Sequence, residues 1–426
     1  MNTKKDKPIE LPQEWPGSLH YGIEEVKAVT RIVKAQSPFR FYGVNFQHEV
    51  EKLEEEFADY IGVKYCLGVS HGTAALQVAF AAMGVGPGDE VLMPGYFWVS
   101  TVGAVVRSGA IPVLVDVDRS FNMDPENLEK KITKRTKAAV MVPMGGVMGQ
   151  VSKVAEVCKR NKIFLLEDCA QSSGASQFGK KAGSFGDIAI FSFQINKNIT
   201  AGEGGAIVTN SEELYKKAFA IHDLGYIKDE EGNLDTGNED YQFWGIGCRM
   251  NEVTAAIIRV QLKKIGLITS SMRNFKYELV DIISCYKGIG KRHIADPSGD
   301  SGGFLKMTFD NKETSIRFKE KLIENGIKVR QGGYYPVHML DWGMHVYSNI
   351  PALVGKKSYC GHHSVWELKE NDFAKDYKYE KGILPILDDF VERTVLFCIA
   401  SKLNDEHKAL IKKAFTETCN QLLEKY

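Results

Sequence analysis

An excess of charge of one sign is missing from this 426-residue chain: 54 lysines and arginines stand against 54 aspartates and glutamates. With no basic surplus to neutralise a phosphate backbone or an anionic lipid surface, neither nucleic acid nor membrane is expected as a partner. Long apolar runs are missing too. None is long enough to cross a bilayer, and no apolar h-region follows the polar first 17 residues with Lys4, Lys5 and Lys7, so the expected location is the cytoplasm. The eight cysteines, Cys66, Cys158, Cys169, Cys248, Cys285, Cys360, Cys398 and Cys419, include no Cys-x-x-Cys pair. That spacing argues for reduced structural thiols rather than a disulfide frame or a zinc site, and no metal is expected. Repeats and low-complexity linkers are also missing.

What is present is an ordinary globular composition, 44% hydrophobic and 25% charged, in a chain long enough for a sizeable core and two domains. Two amphipathic helices are predicted over 23–34 and 47–60, the second carrying Val50, Leu53 and Phe57 at helical spacing. Short apolar strands then alternate with helices: strands at 65–69, 90–93, 111–115, 138–142 and 163–166, helices at 73–83, 98–107 and 154–161. This order implies right-handed crossovers and a mainly parallel sheet covered on both faces, with ligands beyond the carboxyl ends of its strands. Further on, a strand is expected at 206–208, a helix at 212–220, an exposed acidic loop at 229–241 and a long helix at 251–265. Strands at 303–308 and 327–330 with helices at 315–324 and 406–423 predict a smaller α+β domain. The expected division is an amino-terminal arm and helix over 1–45, a large domain over 46–285 and a small domain over 286–426.

Several residues fall at the predicted active edge. Gly72-Thr73 would open a helix straight after a strand, where free amides and the positive dipole end hold a phosphate; plain capping is the competing reading. Asp168 closes the strand Leu165-Leu166-Glu167-Asp168, where a nearly buried carboxylate needs a cation or several donors; a helix cap would also account for it. Gln171 is an amide donor three residues on. Trp98 offers a flat indole face, though core packing explains a lone aromatic better. Ser192 ends another predicted strand. Lys197 follows it in Phe-Ser-Phe-Gln-Ile-Asn-Lys and precedes Ala201-Gly202-Glu203-Gly204-Gly205, glycines that let a ligand approach the backbone. Together, in the order phosphate turn, aromatic, acid, lysine, they point to pyridoxal 5'-phosphate: an amine to form a Schiff base with its aldehyde, and a carboxylate to keep its ring nitrogen protonated.

The runs Ser70-His71-Gly72-Thr73-Ala74-Ala75-Leu76, Glu167-Asp168-Cys169-Ala170-Gln171, Gly183-Ser184-Phe185-Gly186-Asp187 and 191–205 resemble the DegT/DnrJ/EryC1/StrS aminotransferase family over nearly the whole chain. The resemblance implies fold type I, an α/β architecture with a mainly parallel large-domain sheet and a smaller carboxyl-terminal α+β domain. It also implies a homodimer with shared active sites. The implied activity moves an amino group from glutamate or glutamine to a ketosugar, nucleotide-linked or phosphorylated, or to a keto-cyclitol. By the same resemblance Lys197 and Asp168 are catalytic, Gln171 donates to the cofactor's phenolic oxygen, Trp98 stacks on the ring, and Gly72, Thr73 and Ser192 hold the phosphate. The run at 329–338 is similar to a loop at the substrate entrance, making Tyr335 and His338 substrate candidates beside Arg40 and Tyr42. One position departs from the family: Gly247 stands in Gly-Ile-Gly-Cys-Arg-Met where an asparagine normally reaches the neighbouring subunit's phosphate.

Three other readings share parts of this pattern. A different pyridoxal phosphate reaction, such as elimination or dehydration, would use the same lysine and acid, although the family's dehydratases carry histidine in place of the lysine. A non-catalytic cofactor-binding sensor would lack turnover, and no basic face or DNA-binding helix pair favours it. A nicotinamide oxidoreductase would need a G-x-G-x-x-G, which the Gly72 turn does not contain.

Overall fold

A computed structural model describes residues 10–229, 231–328, 335–358 and 364–426. Helices α1 (Ile23–Ala35) and α2 (Glu49–Ile61) lead into an alternating series. It comprises β1 (Tyr65–Val69), α3 (Gly72–Ala82), β2 (Glu90–Pro94), α4 (Val99–Arg107), β3 (Ile111–Val115), α5 (Pro125–Lys131), β4 (Thr136–Met141), α6 (Val151–Asn161) and β5 (Phe164–Asp168). A small hairpin, β6 (Ser176–Gln177) and β7 (Lys180–Lys181), precedes β8 (Ile188–Ser192), β9 (Gly205–Thr209) and α7 (Glu212–His222).

Seven strands form one sheet in the order β1-β9-β8-β5-β4-β2-β3. The pairs from β8 to β3 are parallel, and β9 runs antiparallel to both neighbours because the chain turns back after β8 without a crossover helix. Successive strand residues feed two cores, as burial on both faces requires. Leu92, Ala139, Leu165 and Ala189 pack with α2 and α6, whereas Val91, Val140, Leu166 and Ile190 pack with α3, α4 and α7.

Helix α8 (Glu252–Ile283) runs far beyond the predicted 251–265. Thr269-Ser270-Ser271 lies just past that predicted end, but the buried stripe Ile265, Ile268, Met272, Phe275, Leu279 and Ile283 continues through it at helical spacing, and Thr269 Oγ1 donates to the Ile265 carbonyl at 2.9 Å. At the other end, the buried Glu252 carboxylate accepts from the amides of Glu49 (2.7 Å) and Val50 (3.0 Å), capping α2 from another part of the chain.

The rest of the chain builds a second, antiparallel sheet in the order β10-β11-β13-β12, from β10 (Ile289–Lys291), β11 (Phe304–Phe309), β12 (Val337–His338) and β13 (Thr394–Cys398). With it go α9 (Lys312–Glu324), α10 (Pro351–Val354), α11 (Pro385–Arg393) and α12 (Asp405–Leu422). The inner strand β13 was not expected: its apolar run follows α11 with no turn residue between, and periodicity alone does not separate a short buried strand from a continuing helix. Of the strand expected at 327–330, residues 327–328 are not in a strand and 329–330 lie outside the described residues, as does Cys360. The other seven cysteines are free thiols, and no helix of the described residues is long and apolar enough to cross a membrane.

Candidate active site

The carboxyl ends of β1, β5 and β8 meet at one edge of the large sheet, and β9 begins there, since Gly205 pairs with both Val69 and Ser192. Helix α3 starts at this edge. His71 caps it, its Nδ1 accepting from the Ala74 amide at 3.0 Å, and the amides of the first turn keep no helical acceptor. A Cβ on Gly72 would stand 2.8 Å from the Ser192 Cβ, so only glycine brings the helix start this close to the Ser192 side chain. Gly205 is equally confined, its position for a Cβ lying 2.9 Å from the Gly72 nitrogen.

Asp168, at the end of β5, is buried; its Oδ2 accepts from Thr101 Oγ1 at 2.7 Å and its Oδ1 from the Ala170 amide at 3.2 Å. Burial pushes this carboxyl above its ordinary range, against those two bonds and the nearby Lys197. The neighbouring Glu167 does a different job on the opposite face. Its carboxylate accepts from the amides of Gly183 (3.0 Å), Phe185 (2.6 Å) and Gly186 (2.8 Å), which folds the Gly-Ser-Phe-Gly-Asp turn onto β5. Asp187 completes the clasp by accepting from the Leu165 amide at 2.7 Å. Replacing Glu167 with alanine strands these amides. The expected loss is about 3 kcal/mol, read as a lower thermal midpoint and faster thermal inactivation.

Lys197 is held on a tight loop. Its amide donates to the Gln194 carbonyl at 2.9 Å, Ile195 N donates to the Gly202 carbonyl at 3.1 Å, and Phe193 N donates to the Gly204 carbonyl at 2.8 Å. Gly202 (φ 85°) and Gly204 (φ 148°) make the return path, in backbone conformations that favour glycine. The amino-terminal arm lies across the loop, with Gly17 N donating to the Lys197 carbonyl at 3.1 Å. Burial pushes the Lys197 ammonium below its ordinary range, opposed by the Asp168 and Glu203 carboxylates.

A cavity of about 510 Å³ opens between the sheet edge and the second sheet. Gly72, Thr73, Trp98, Asp168, Gln171, Ser192 and Lys197 all line it. Trp98 is the residue preceding α4 and is 40% exposed. Gln171 Oε1 accepts from the Gly145 amide at 3.3 Å.

The four substrate candidates are elsewhere. Arg40 is buried in a double contact with Glu54 (2.7 and 3.0 Å) and donates to the Gly68 carbonyl. Tyr42 lies 72% exposed on the outer surface. Tyr335 is buried against Phe397, and His338 is buried with its Nε2 2.8 Å from Ser315 Oγ. The predicted entrance run of 329–338 lies outside the described residues up to Tyr334. Gly247 has φ 65° and open space where a Cβ would be.

The cavity also takes in residues that were assigned no role from the sequence: Glu14 from the amino-terminal arm, Asn198 and Glu203 around the lysine loop, and Phe304, Trp342 and His345 from the second sheet and the segment after it. Glu203 was visible among the glycines after Lys197. Trp342 and His345 carried no local signal, because they sit in irregular 3-10 turns far along the chain.

The family model for the DegT/DnrJ/EryC1/StrS aminotransferase family matches residues 24–356. The chain is 40% identical over 221 residues to a GDP-perosamine synthase of Caulobacter vibrioides, covering 51% of this chain and 57% of that protein. It is 32% identical over 302 residues to an L-glutamine:2-deoxy-scyllo-inosose aminotransferase of Streptoalloteichus tenebrarius, covering 69% and 68%. Among curated relatives, the alignments of the first three span about three fifths of each relative's length. A crystal structure of 3-amino-5-hydroxybenzoic acid synthase superposes with a TM-score of 0.76 at 25% identity, covering 97% of this chain and all of the other. The fold is accordingly fold type I, and the chain belongs to the DegT/DnrJ/EryC1/StrS aminotransferase family.

Proposed function

We propose that this protein is a pyridoxal phosphate-dependent aminotransferase that moves an amino group from glutamate or glutamine to a ketosugar or keto-cyclitol. The observation that carries the reading is the juxtaposition, around one cavity, of a buried acid at the end of a strand, a half-buried lysine on a glycine-bounded loop and a helix start packed against a serine. The residues present fit the cofactor. Asp168 is an acid with only two neutral donors, a setting that favours a cationic N–H opposite it. The Gly72, Ser192 and Gly205 cradle leaves room for a phosphate that any added side chain would fill.

Bound pyridoxal phosphate supplies an aldehyde carbon and an electron-withdrawing ring. Lys197 would be the covalent anchor, and its amine, pushed towards the neutral form, would take the proton from the donor's α-carbon and deliver it to the carbon that came from the cofactor's aldehyde. Asp168 would keep a proton on the ring nitrogen. Gln171 would donate to the phenolic oxygen, Trp98 would cover one ring face and exclude water, and the Gly72 and Thr73 amides with the Ser192 hydroxyl would hold the phosphate. The amino-terminal arm closes over the lysine loop, and residues beyond 286 supply the wall opposite the large sheet.

Among the described residues, Lys197 is the one lysine that lines the cavity and no arginine does, against Glu14, Asp168 and Glu203. A homodimer in the cytoplasm, with a neighbouring subunit completing each phosphate site, accounts for that balance. The face available for it carries Trp244 (95% exposed), Tyr42, Val44 and Ile246, beside the ring contacts of Phe39 and Phe41 with Arg249 and Lys228.

The test is a pair of half-reactions. Glutamate or glutamine is expected to convert the yellow holoenzyme to its aminated form, and a keto acceptor such as 2-deoxy-scyllo-inosose or GDP-4-keto-6-deoxymannose is expected to restore the visible band. Failure of both donors to bleach that band would sink the reading.

A further inference from the structure

The segment 345–347 lies antiparallel to 95–97, with Phe97 N donating to the His345 carbonyl and Tyr347 N to the Gly95 carbonyl, both at 3.0 Å. Val346 and Tyr347 are fully buried, and Tyr347 Oη donates to the Asp388 carboxylate at 2.9 Å. His345 is therefore held firmly on the Trp98 side of the cavity. Its ring stacks on Trp342 (centroids 4.5 Å apart, planes 23° apart) and lies 4.7 Å from the Trp98 ring.

The hydrogen-bond pattern sets the tautomer. Nδ1 is 2.9 Å from the Trp342 carbonyl oxygen, and a carbonyl only accepts, so Nδ1 carries the hydrogen and Nε2 the lone pair. Burial, opposed by that bond and reinforced by the charges of Lys197 and Lys306, pushes the ring down to about 4, which keeps it neutral at neutral pH. Nε2 has no hydrogen-bond partner among the described residues, although the residue lines the cavity. A rigid acceptor on the wall of a cavity is placed to take a hydrogen bond from a ligand that carries a donor, and the hydroxyls of a sugar or cyclitol are such donors.

We propose that His345 determines acceptor specificity by accepting, at Nε2, a hydrogen bond from a hydroxyl of the keto substrate. This rests on the aminotransferase reading above. It concerns the second half-reaction, and glutamate is the clean control for the first, because its ionised side chain carries no hydrogen-bond donor.

The experiment compares His345→Phe, which keeps a ring between Trp342 and Trp98 but has no acceptor, with His345→Gln, which restores one. Holoenzymes are mixed rapidly with glutamate or glutamine, then with 2-deoxy-scyllo-inosose or GDP-4-keto-6-deoxymannose. Expected for His345→Phe are an unchanged donor half-reaction and a loss of about 10- to 100-fold in kcat/KM for the ketone, mostly in KM, with partial recovery in His345→Gln. Should His345→Phe fail to hold cofactor, His345→Leu against His345→Gln makes the same comparison. A parallel fall in both half-reactions would mean that the ring merely wedges Trp98, and overturns the proposal. So does an unchanged ketone reaction, or a glutamine variant no better than phenylalanine. A wild type that bleaches with neither donor, or recovers with neither ketone, removes the aminotransferase reading itself, and the role of His345 with it.

Discussion

Lys197→Ala is expected to lower turnover by more than about 10⁴-fold, the upper end of what a positioned acid/base contributes, because the same amine is also the covalent anchor. The visible band of lysine-bound cofactor should vanish with it. Lys197→Arg separates the two duties: it keeps a cation near Asp168 and Glu203 but offers no nucleophile, so it should restore neither band nor turnover. Absorbance spectra and single-turnover rates check both variants. Full activity in Lys197→Ala would remove the basis of the proposed function.

Asp168→Asn should have the second largest effect. The change preserves volume, and an amide oxygen can still accept from Thr101 or from the Ala170 amide, so the fold is expected to survive. What is lost is the negative charge opposite the ring nitrogen. Removing one partner of a buried ion pair costs roughly 3–5 kcal/mol, which corresponds to about 10²- to 10⁴-fold in rate. Steady-state kcat for both half-reactions, with cofactor occupancy followed by absorbance, provides the measurement. An Asp168→Asn enzyme with wild-type kcat would show that the carboxylate only positions the end of β5.

The sheet-edge side of the cavity was legible in the chain because it is local. Gly72, Asp168 and Ser192 each sit at or just beyond the carboxyl end of a short apolar strand, and a parallel sheet brings such ends to one edge whatever the detail of the helices between. The glycines after Lys197 were legible as an opening to the backbone; that Gly202 and Gly204 also turn the loop back with positive φ emerges from the structure. Glu167 could have been read as a second acid of the site; its three amide donors from 183–186 give it a structural role instead, which needs a contact across 16 to 19 residues to be seen.

The opposite wall of the cavity was not legible in the same way. Arg40, Tyr42, Tyr335 and His338 were reasonable choices by residue type, but three of them are buried in the protomer away from the cavity and Tyr42 faces outward. Trp342 and His345, which do line it, stand more than 240 residues from Trp98, and no periodicity links them.

The order of residues alone, then, settled the sheet, its binding edge and the acid and amine along it, because hydrophobic alternation and turn chemistry act over neighbouring positions. Tertiary packing alone decided the reach of α8, the inner place of β13 and the aromatic wall facing Lys197. Each of those depends on burying one surface against another that is remote in the chain, and such complementarity exists only once both are folded.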